Sequence, residues 1–138
     1  MDPFPMNVLL ATDGSEEARS ATRMAAAIAK RTGSELCVVH VVDPGAAADP
    51  RLQVDRQQQA RALLDEQARE ISESYSITVR DQLAMGRPDR EIVALAGRVG
   101  AGLIVVGSRG LGGVRRALMG SVSESVVRHA SCPVLVVR

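Results

Sequence analysis

Residues 103–137 read LIVVGSRGLGGVRRALMGSVSESVVRHASCPVLVV, and this stretch contains a complete strand–loop–helix–strand unit. The apolar run 103–106 predicts a buried strand, 123–130 predicts a helix, and 133–138 predicts a second strand. The glycine-rich segment 107–121 lies between the first strand and the helix. Strands that alternate with helices lie parallel in one sheet, so this unit indicates an α/β fold.

The same alternation extends toward the N-terminus. Apolar runs at 7–11, 35–42 and 77–84 predict three more buried strands, each followed by a helix. The first helix is predicted to be capped by Ser15 and ended by Gly33, the second spans about 54–74 after a loop at 43–51, and the third begins at Pro88. Their predicted apolar faces consist of Ala18, Ala21, Met24, Ala25 and Ile28; of Leu64, Ala68 and Ile71; and of Ile92, Leu95, Ala96 and Val99.

The resulting order, βαβαβαβαβ, predicts a three-layer αβα fold around an open parallel sheet of five strands. Because crossovers are right-handed, one common winding places the strands in the order 3-2-1-4-5. In such a sheet the strand order reverses between strands one and four, and ligands bind in that crevice, at the carboxyl ends of the strands. The loops that reach this crevice are ATDGS at 11–15 and the glycine-rich segment 107–121.

Length and composition restrict the class of protein. The chain has 138 residues, which predicts one domain over 1–138 with a loose leader at 1–6. A net charge of +1 and two aromatic residues, Phe4 and Tyr75, argue against a nucleic-acid partner. With no apolar run near ~20 residues, no signal-like leader and two cysteines, we expect a cytoplasmic protein with no membrane association.

The chemistry of segment 107–121 suits an anion. Glycines let main-chain N–H groups approach a bulky phosphate, and a helix start adds unpaired N–H groups and a positive dipole end. Ser121 and Ser123 can donate hydrogen bonds, and the arginines can neutralise charge. A second reading stays open, because Ser121 to Glu124 also matches a capping box that needs no ligand, and Arg115 and Arg116 are then solvated.

Several other chemistries do not fit. A Walker A loop needs a lysine after its second glycine, and the chain's one lysine is Lys30 in the first helix. The histidines lie in no nucleophile motif, and G-x-S-x-G is absent. Two cysteines and two histidines match zinc by number, but strands two and five would be about 14 Å apart. These four residues are Cys37, His40, His129 and Cys132.

The spacing Gly107-x2-Gly110-x9-Gly120-Ser121 resembles the G-x2-G-x9-G-[ST] signature of the universal stress protein family, in its ATP-binding branch. The blocks VLLATDGSEEA, VVHVVD, GRPDREIVALA and GSVSESVVRHASCPVLVVR extend the resemblance over nearly the whole chain. It implies the 3-2-1-4-5 sheet and a bound ATP or other adenine nucleotide, with Mg²⁺. The binding residues that it implies are Ala11, Thr12, Asp13, Ser15, Val41, Met85, Gly86, Gly107, Ser108, Arg109, Gly110, Gly112, Gly113, Gly120, Ser121, Val122 and Ser123.

Individual roles follow from the resemblance. The main chain of Val41 matches the contact with the adenine edge, and Asp13 matches an acidic residue near the ribose and phosphates, linked with the metal directly or through water. The glycine loop with Gly120, Ser121 and Ser123 matches the triphosphate cradle. Asp13 has a second reading as an Asx turn before a helix.

The function is expected to be a dimeric, nucleotide-dependent regulatory module in stress response. A homodimer is predicted through the last strand, 133–138, because its apolar edge is free while Arg80 and Asp81 protect the edge of strand three. An unknown protein partner is expected to read the nucleotide state. Two alternatives remain: a nucleotide-free dimeric interaction protein, and a weak ATPase whose hydrolysis is slow because no dedicated base is visible.

Overall fold

The computed structural model describes residues 2–45, 49–108 and 120–138. Within these ranges five strands and four helices alternate, and one 3₁₀ turn, Glu16–Ala18, precedes the first helix. The strands are β1 (Asn7–Ala11), β2 (Glu35–Val42), β3 (Val79–Met85), β4 (Ala101–Gly107) and β5 (Val134–Val137). The helices are α1 (Arg19–Thr32), α2 (Pro50–Tyr75), α3 (Pro88–Val99) and α4 (Ser121–His129).

The five strands form one parallel sheet in the order β3-β2-β1-β4-β5. This confirms the predicted α/β class and the predicted winding. β1 lies at the centre, where Leu10 pairs with Val38 of β2 on one side and with Val105 of β4 on the other. All five carboxyl ends therefore meet at one edge of the sheet, and β3 and β5 are the two outer strands.

Side chains of β1 alternate between two cores, as the two-residue period of a strand requires. Val8 and Leu10 face the core under α1 and α2, whereas Leu9 and Ala11 face the core under α3 and α4. The helices supply the remaining buried residues, which include the predicted Leu64, Ala68, Ile71, Ile92, Leu95 and Ala96. In the described parts of the chain no helix is both long enough and apolar enough to cross a membrane.

Helix boundaries differ from the sequence prediction in three places. α1 begins at Arg19 rather than at a Ser15 cap, because the 3₁₀ turn comes first. α2 begins at Pro50, inside the predicted loop 43–51, because the Asp49 carboxylate accepts a hydrogen bond from Arg51 N (2.9 Å) and proline suits the first helical position. α4 begins at Ser121 with Gly120 as its N-cap residue.

Met24 was wrongly predicted to belong to the buried face of α1. Its side chain is 44% exposed, while Ala21, Ala25 and Ala29 are almost fully buried. Alanines let the helix axis lie close to the sheet, and the long methionine then extends past the edge of the contact. The predicted end of α1 is confirmed, since Gly33 takes the left-handed conformation at φ 68°.

Candidate functional site

A crevice lies between the carboxyl ends of β1 and β4. The chain leaves these two neighbouring strands toward opposite faces of the sheet, since α1 packs in one core and Val126 of α4 packs in the other. This divergence opens the space in which ligands of open α/β sheets bind. The chain segments that flank the crevice are the loop after β1, residues 12–15, and the junction between β4 and α4.

The loop after β1 is held by hydrogen bonds at each of its residues. Thr12 N donates to Val39 O (3.0 Å), and Thr12 Oγ1 accepts from Gly14 N (3.1 Å). Asp13 Oδ1 accepts from Ser15 N (2.9 Å), which is an Asx turn. One carboxylate oxygen of Asp13 therefore forms the Asx turn, as the second interpretation of this residue predicts. The other oxygen remains available to bind a ligand.

Gly14 joins this loop to α2. Its φ of +78° lies in the left-handed region, where side chains are strained. A Cβ at this position would lie 2.7 Å from Leu63 Cδ2 and 2.9 Å from Gln67 Nε2. The loop main chain thus rests directly against the helix, and glycine is required for both its conformation and this contact.

The junction between β4 and α4 is closed at its base. Ser108 N donates to Val137 O (2.8 Å), and Gly120 N donates to Ser108 O (2.8 Å). The two described ends of the glycine-rich segment therefore meet beside the crevice. Both Gly120 and Ser108 are buried, and a Cβ on Gly120 would lie 3.1 Å from Ser108 O.

Among the described residues, no side chain caps the start of α4. In a helix the first N–H groups have no partner within the helix. Gly120 O accepts from Glu124 N (3.0 Å) and from the buried Ser123 Oγ (3.0 Å). The predicted capping box is wrong, because Ser121 is the exposed first helical residue and Gly120 takes the N-cap position.

The other predicted site residues lie at different distances from the crevice. Val41 lies near the carboxyl end of β2, two residues beyond Val39, whose carbonyl accepts from Thr12 N; the main-chain groups of Val41 therefore point to the β1 side, and its side chain packs against the core under α3 and α4. Met85 is the last residue of β3, two strands away from β1, and Gly86 follows it; Gly86 N donates to Val42 O (3.0 Å). Arg109, Gly110, Gly112 and Gly113 lie outside the described residues.

Sequence reasoning missed two contacts that fix the site. His40 Nδ1 lies 3.0 Å from Thr12 O and donates to it, so β2 orients the first loop. The sequence shows only that His40 is a polar residue inside an apolar strand run. This pattern does not identify the hydrogen-bond partner of His40. Ser125 Oγ donates to Asp89 Oδ2 (2.8 Å), which ties α4 to α3.

The contacts of Asp89 at the start of α3 change the pKa of its carboxylate. Burial acts to raise the pKa of Asp89, but hydrogen bonds from Ser125 and from Arg90 N, with the nearby charge of Arg87, outweigh burial and lower it. The carboxylate therefore stays ionised at neutral pH and holds Ser125 in place. This contact fixes the body of α4, one turn beyond its first residues.

The described residues suit a metal ion that is coordinated mainly by oxygen atoms of a bound ligand. In residues 2–45, 49–108 and 120–138, no three His, Cys, Asp or Glu side chains are grouped to hold a metal ion. Asp13 retains one carboxylate oxygen beside the crevice, and Mg²⁺ is commonly held by one or two carboxylates together with substrate phosphates. The residues present thus fit a magnesium ion bound with a phosphate ligand.

The comparison with known proteins establishes the family. Residues 6–138 match the universal stress protein family. A universal stress protein of Staphylococcus haemolyticus is 37% identical over 139 residues, which cover 96% of this chain and 84% of that protein. The chain therefore belongs to the universal stress protein family.

Solved structures of the family have the same fold. The universal stress protein UspA from Lactobacillus plantarum is 27% identical, with a TM-score of 0.80 and coverage of 96% of this chain and 97% of that one. A universal stress protein from Archaeoglobus fulgidus, solved in complex with dAMP, is 26% identical with a TM-score of 0.76, covering 96% and 98%. A further universal stress protein, solved in complex with cAMP, is 26% identical with a TM-score of 0.76 and covers 96% of this chain and 97% of that one.

Proposed function

We propose that this protein binds an adenine nucleotide, ATP with Mg²⁺, in the crevice between β1 and β4, and acts in the cytoplasm as a dimeric nucleotide-dependent regulator in stress response. One observation carries the proposal. Gly120 N donates to Ser108 O, which closes the glycine-rich segment next to a helix start without a side-chain cap. A strand, a glycine-rich loop and a bare helix start in this order form a phosphate site.

The phosphates are held by main-chain donors. The first N–H groups of α4 have no acceptor within the helix, and the positive end of the helix dipole favours negative charge by about 0.3–1 kcal/mol per group. Ser123 is 2% exposed, and its hydroxyl braces Gly120 O, so it orients the cradle. Ser121 is exposed at the helix start and can donate its hydroxyl to a phosphate oxygen.

The metal and the nucleoside occupy the first loop and the end of β2. Asp13 uses one oxygen for the turn to Ser15, and the other is available to Mg²⁺ directly or through water. The main chain of Val41 lies beyond Val39, the last β2 residue paired with β1, and there it can bond the adenine edge. The dAMP and cAMP complexes of related family members support adenine as the base.

The role proposed is regulation rather than turnover. Asp13 is the one acidic residue of the loop 12–15, and its turn and metal contacts leave it unsuited to activate a water molecule. Any ATP hydrolysis is therefore slow. A bound nucleotide instead orders the loop and the α4 start, and a partner protein reads that state.

The dimer is proposed to form through β5. Pro133 O and Val137 O accept from Ile104 N (3.0 Å) and Ser108 N (2.8 Å) of the β4 side. Because strand groups alternate in direction, the main-chain groups of Val134 and Val136 point to the free edge. The four strand side chains are half-buried, which leaves apolar surface for a second copy to cover.

Calorimetry tests nucleotide binding. ATP is titrated with and without Mg²⁺ into the wild type, Gly120→Val, Asp13→Asn and the control Gly97→Ala, whose added methyl group meets nothing within 4 Å. We expect Gly120→Val to weaken ATP binding at least tenfold and Gly97→Ala to leave it unchanged. Asp13→Asn preserves an Asx turn, so it should lose the Mg²⁺ dependence while staying folded. No heat from wild-type protein at millimolar ATP would refute the proposal.

Sedimentation tests the dimer separately. Val136→Pro removes an N–H group that points to the free edge, and proline is tolerated on an edge strand. We expect a dimeric wild type and a folded monomeric Val136→Pro protein. A wild type that sediments as a monomer at micromolar concentration would reject the β5 dimer without affecting the nucleotide proposal.

A further inference from the structure

A cavity extends from the loop that flanks the crevice into the space between α1 and α2. It is an open cleft of about 680 Å³ that begins at Gly14 and Ser15 and continues along both helices to Tyr75. This size lies within the range of about 300–1,000 Å³ that is typical of small-molecule sites. The proposed nucleotide site and this cleft share only residues of the loop 12–15.

The two walls of the cleft carry opposite charges. Arg19 and Arg23 line it from α1, and Glu66 and Glu70 line it from α2. Each pair is spaced four residues apart, so its members lie on the same side of their helix. Arg19 pairs with Glu16 at 2.8 Å, whereas the other three make no ion pair with any residue of the described ranges.

Two buried polar atoms near the first loop lack hydrogen-bond partners. They are Ser15 Oγ and Gln67 Oε1, and neither contacts a donor or acceptor among the residues that the structure describes. Both residues line the cleft on either side of Gly14. A buried polar atom without a partner costs about 1–3 kcal/mol, so rotation of either side chain toward a ligand that supplies a hydrogen-bond partner would be favoured.

We propose that the cleft binds a small zwitterion of the amino-acid or dipeptide class. Its carboxylate pairs with Arg23 and Arg19, its ammonium group pairs with Glu66 and Glu70, and its amide meets Gln67. A phosphate ligand would be repelled by the acidic wall, and a polyamine by the arginines.

The dimensions agree with this class. The cleft extends from Ser15, across the 3₁₀ turn, to Arg23 in the second turn of α1, which is more than about 12 Å at the rise of about 1.5–2.0 Å per residue of these helices. An extended dipeptide spans about 7 Å and leaves room for one side chain at each end. The four charged side chains are exposed, so their pairs are screened by solvent and the affinity is modest, on the order of millimolar.

NMR titration of the ¹⁵N-labelled full chain with glycylleucine tests the proposal. We expect saturable shifts in the amides of α1 and α2 that line the cleft. Acetylation of the dipeptide amine, or amidation of its carboxylate, should each weaken binding at least threefold, because each modification removes one of the two ion-pair contacts. Shifts confined to α3, α4 or β5, or no saturable shift at about 20 mM, would overturn the assignment.

Variants of the charged side chains test whether both walls of the cleft bind the dipeptide. Arg23→Gln and Glu70→Gln should each weaken glycylleucine binding at least threefold. Glu73→Gln changes an exposed carboxylate of α2 that does not line the cleft, and it should bind as the wild type does. Equal affinity in all three variants would reject the proposal, and since none of these side chains is buried, the comparison does not depend on a loss of folding. The proposal does not rest on nucleotide binding.

Discussion

The two chain segments at the crevice are held in opposite ways. Every residue of the loop 12–15 either donates or accepts a local hydrogen bond, and Gly14 rests against Leu63 and Gln67 of α2. At the other segment, the closure between Ser108 and Gly120 is followed by a helix start with no side-chain cap in the described part of the chain.

This difference predicts that substitutions in one segment affect folding stability and that substitutions in the other affect ligand binding. In the loop after β1 the N–H groups of Thr12, Gly14 and Ser15 are all hydrogen-bonded within the protein, so a substitution that removes one of their acceptors should lower the free energy of unfolding. The start of α4 keeps donors for an outside acceptor, so a substitution there should affect a ligand more than the fold. The following changes test this separation, beginning with the largest expected effect.

Gly14→Ala should lower the free energy of unfolding by about 2–3 kcal/mol, combining left-handed strain with crowding against α2. Gly33→Ala is the matched control: its φ of +68° is similar, but nothing lies within 4 Å of the added Cβ, so it should cost only about 1 kcal/mol. Urea denaturation measures both. Equal losses in the two variants would mean that the first loop does not press on α2.

Asp13→Ala should cost about 1 kcal/mol, because it removes the acceptor for Ser15 N. Asp13→Asn keeps an acceptor oxygen and should change the free energy of unfolding by less than about 0.5 kcal/mol. Chemical denaturation distinguishes the two. If both variants lost the same stability, the charge of Asp13 rather than its turn would hold the loop.

The sequence was sufficient to predict the sheet because its strands are nearly continuous apolar runs. Such runs mark strands buried on both faces, and right-handed crossovers then left few windings for the strand order. β1 and β2 begin and end where the sequence places them. The roles that the family resemblance implies for the first loop and the α4 start stay predictions.

The sequence was insufficient wherever several polar residues compete for the same donors. Ser15 is a good helix cap by type, but Asp13 takes the turn that orders the loop, and Ser15 Oγ has no partner in the described residues. Ser121 looks like a cap, but the chain closure at Ser108 places Gly120 at that position. Such outcomes depend on tertiary contacts that residue type and spacing do not specify.

Acid should weaken the hydrogen bond that ties α4 to α3. Burial of Asp89 acts to raise its pKa, and the contacts from Ser125, Arg90 N and Arg87 overcome this and lower the pKa. A lowered pKa in the folded state contributes stability above the ordinary aspartate value of 3.8, and that stability is lost as pH falls through the folded pKa.

Ser125→Ala checks this contact. We expect a loss of about 1 kcal/mol at pH 7, and a smaller further loss than in the wild type when pH falls below about 4. Denaturation curves at several pH values give both quantities. If the variant and the wild type lost stability in parallel toward acid, other carboxylates would be responsible for the acid sensitivity.

The smallest expected effect is that of Ser121→Ala, which tests whether the Ser121 hydroxyl caps the start of α4. Replacing a true N-cap serine with alanine costs about 1 kcal/mol. Ser121 is the exposed first helical residue, so Ser121→Ala should change the free energy of unfolding by less than about 0.5 kcal/mol. Ser123→Ala is the matched comparison and should cost about 1 kcal/mol, because its buried hydroxyl donates to Gly120 O. A Ser121→Ala loss as large as that of Ser123→Ala would show that this hydroxyl caps α4. The donors at the helix start would then be committed to the fold, and the contrast between the two segments would not hold.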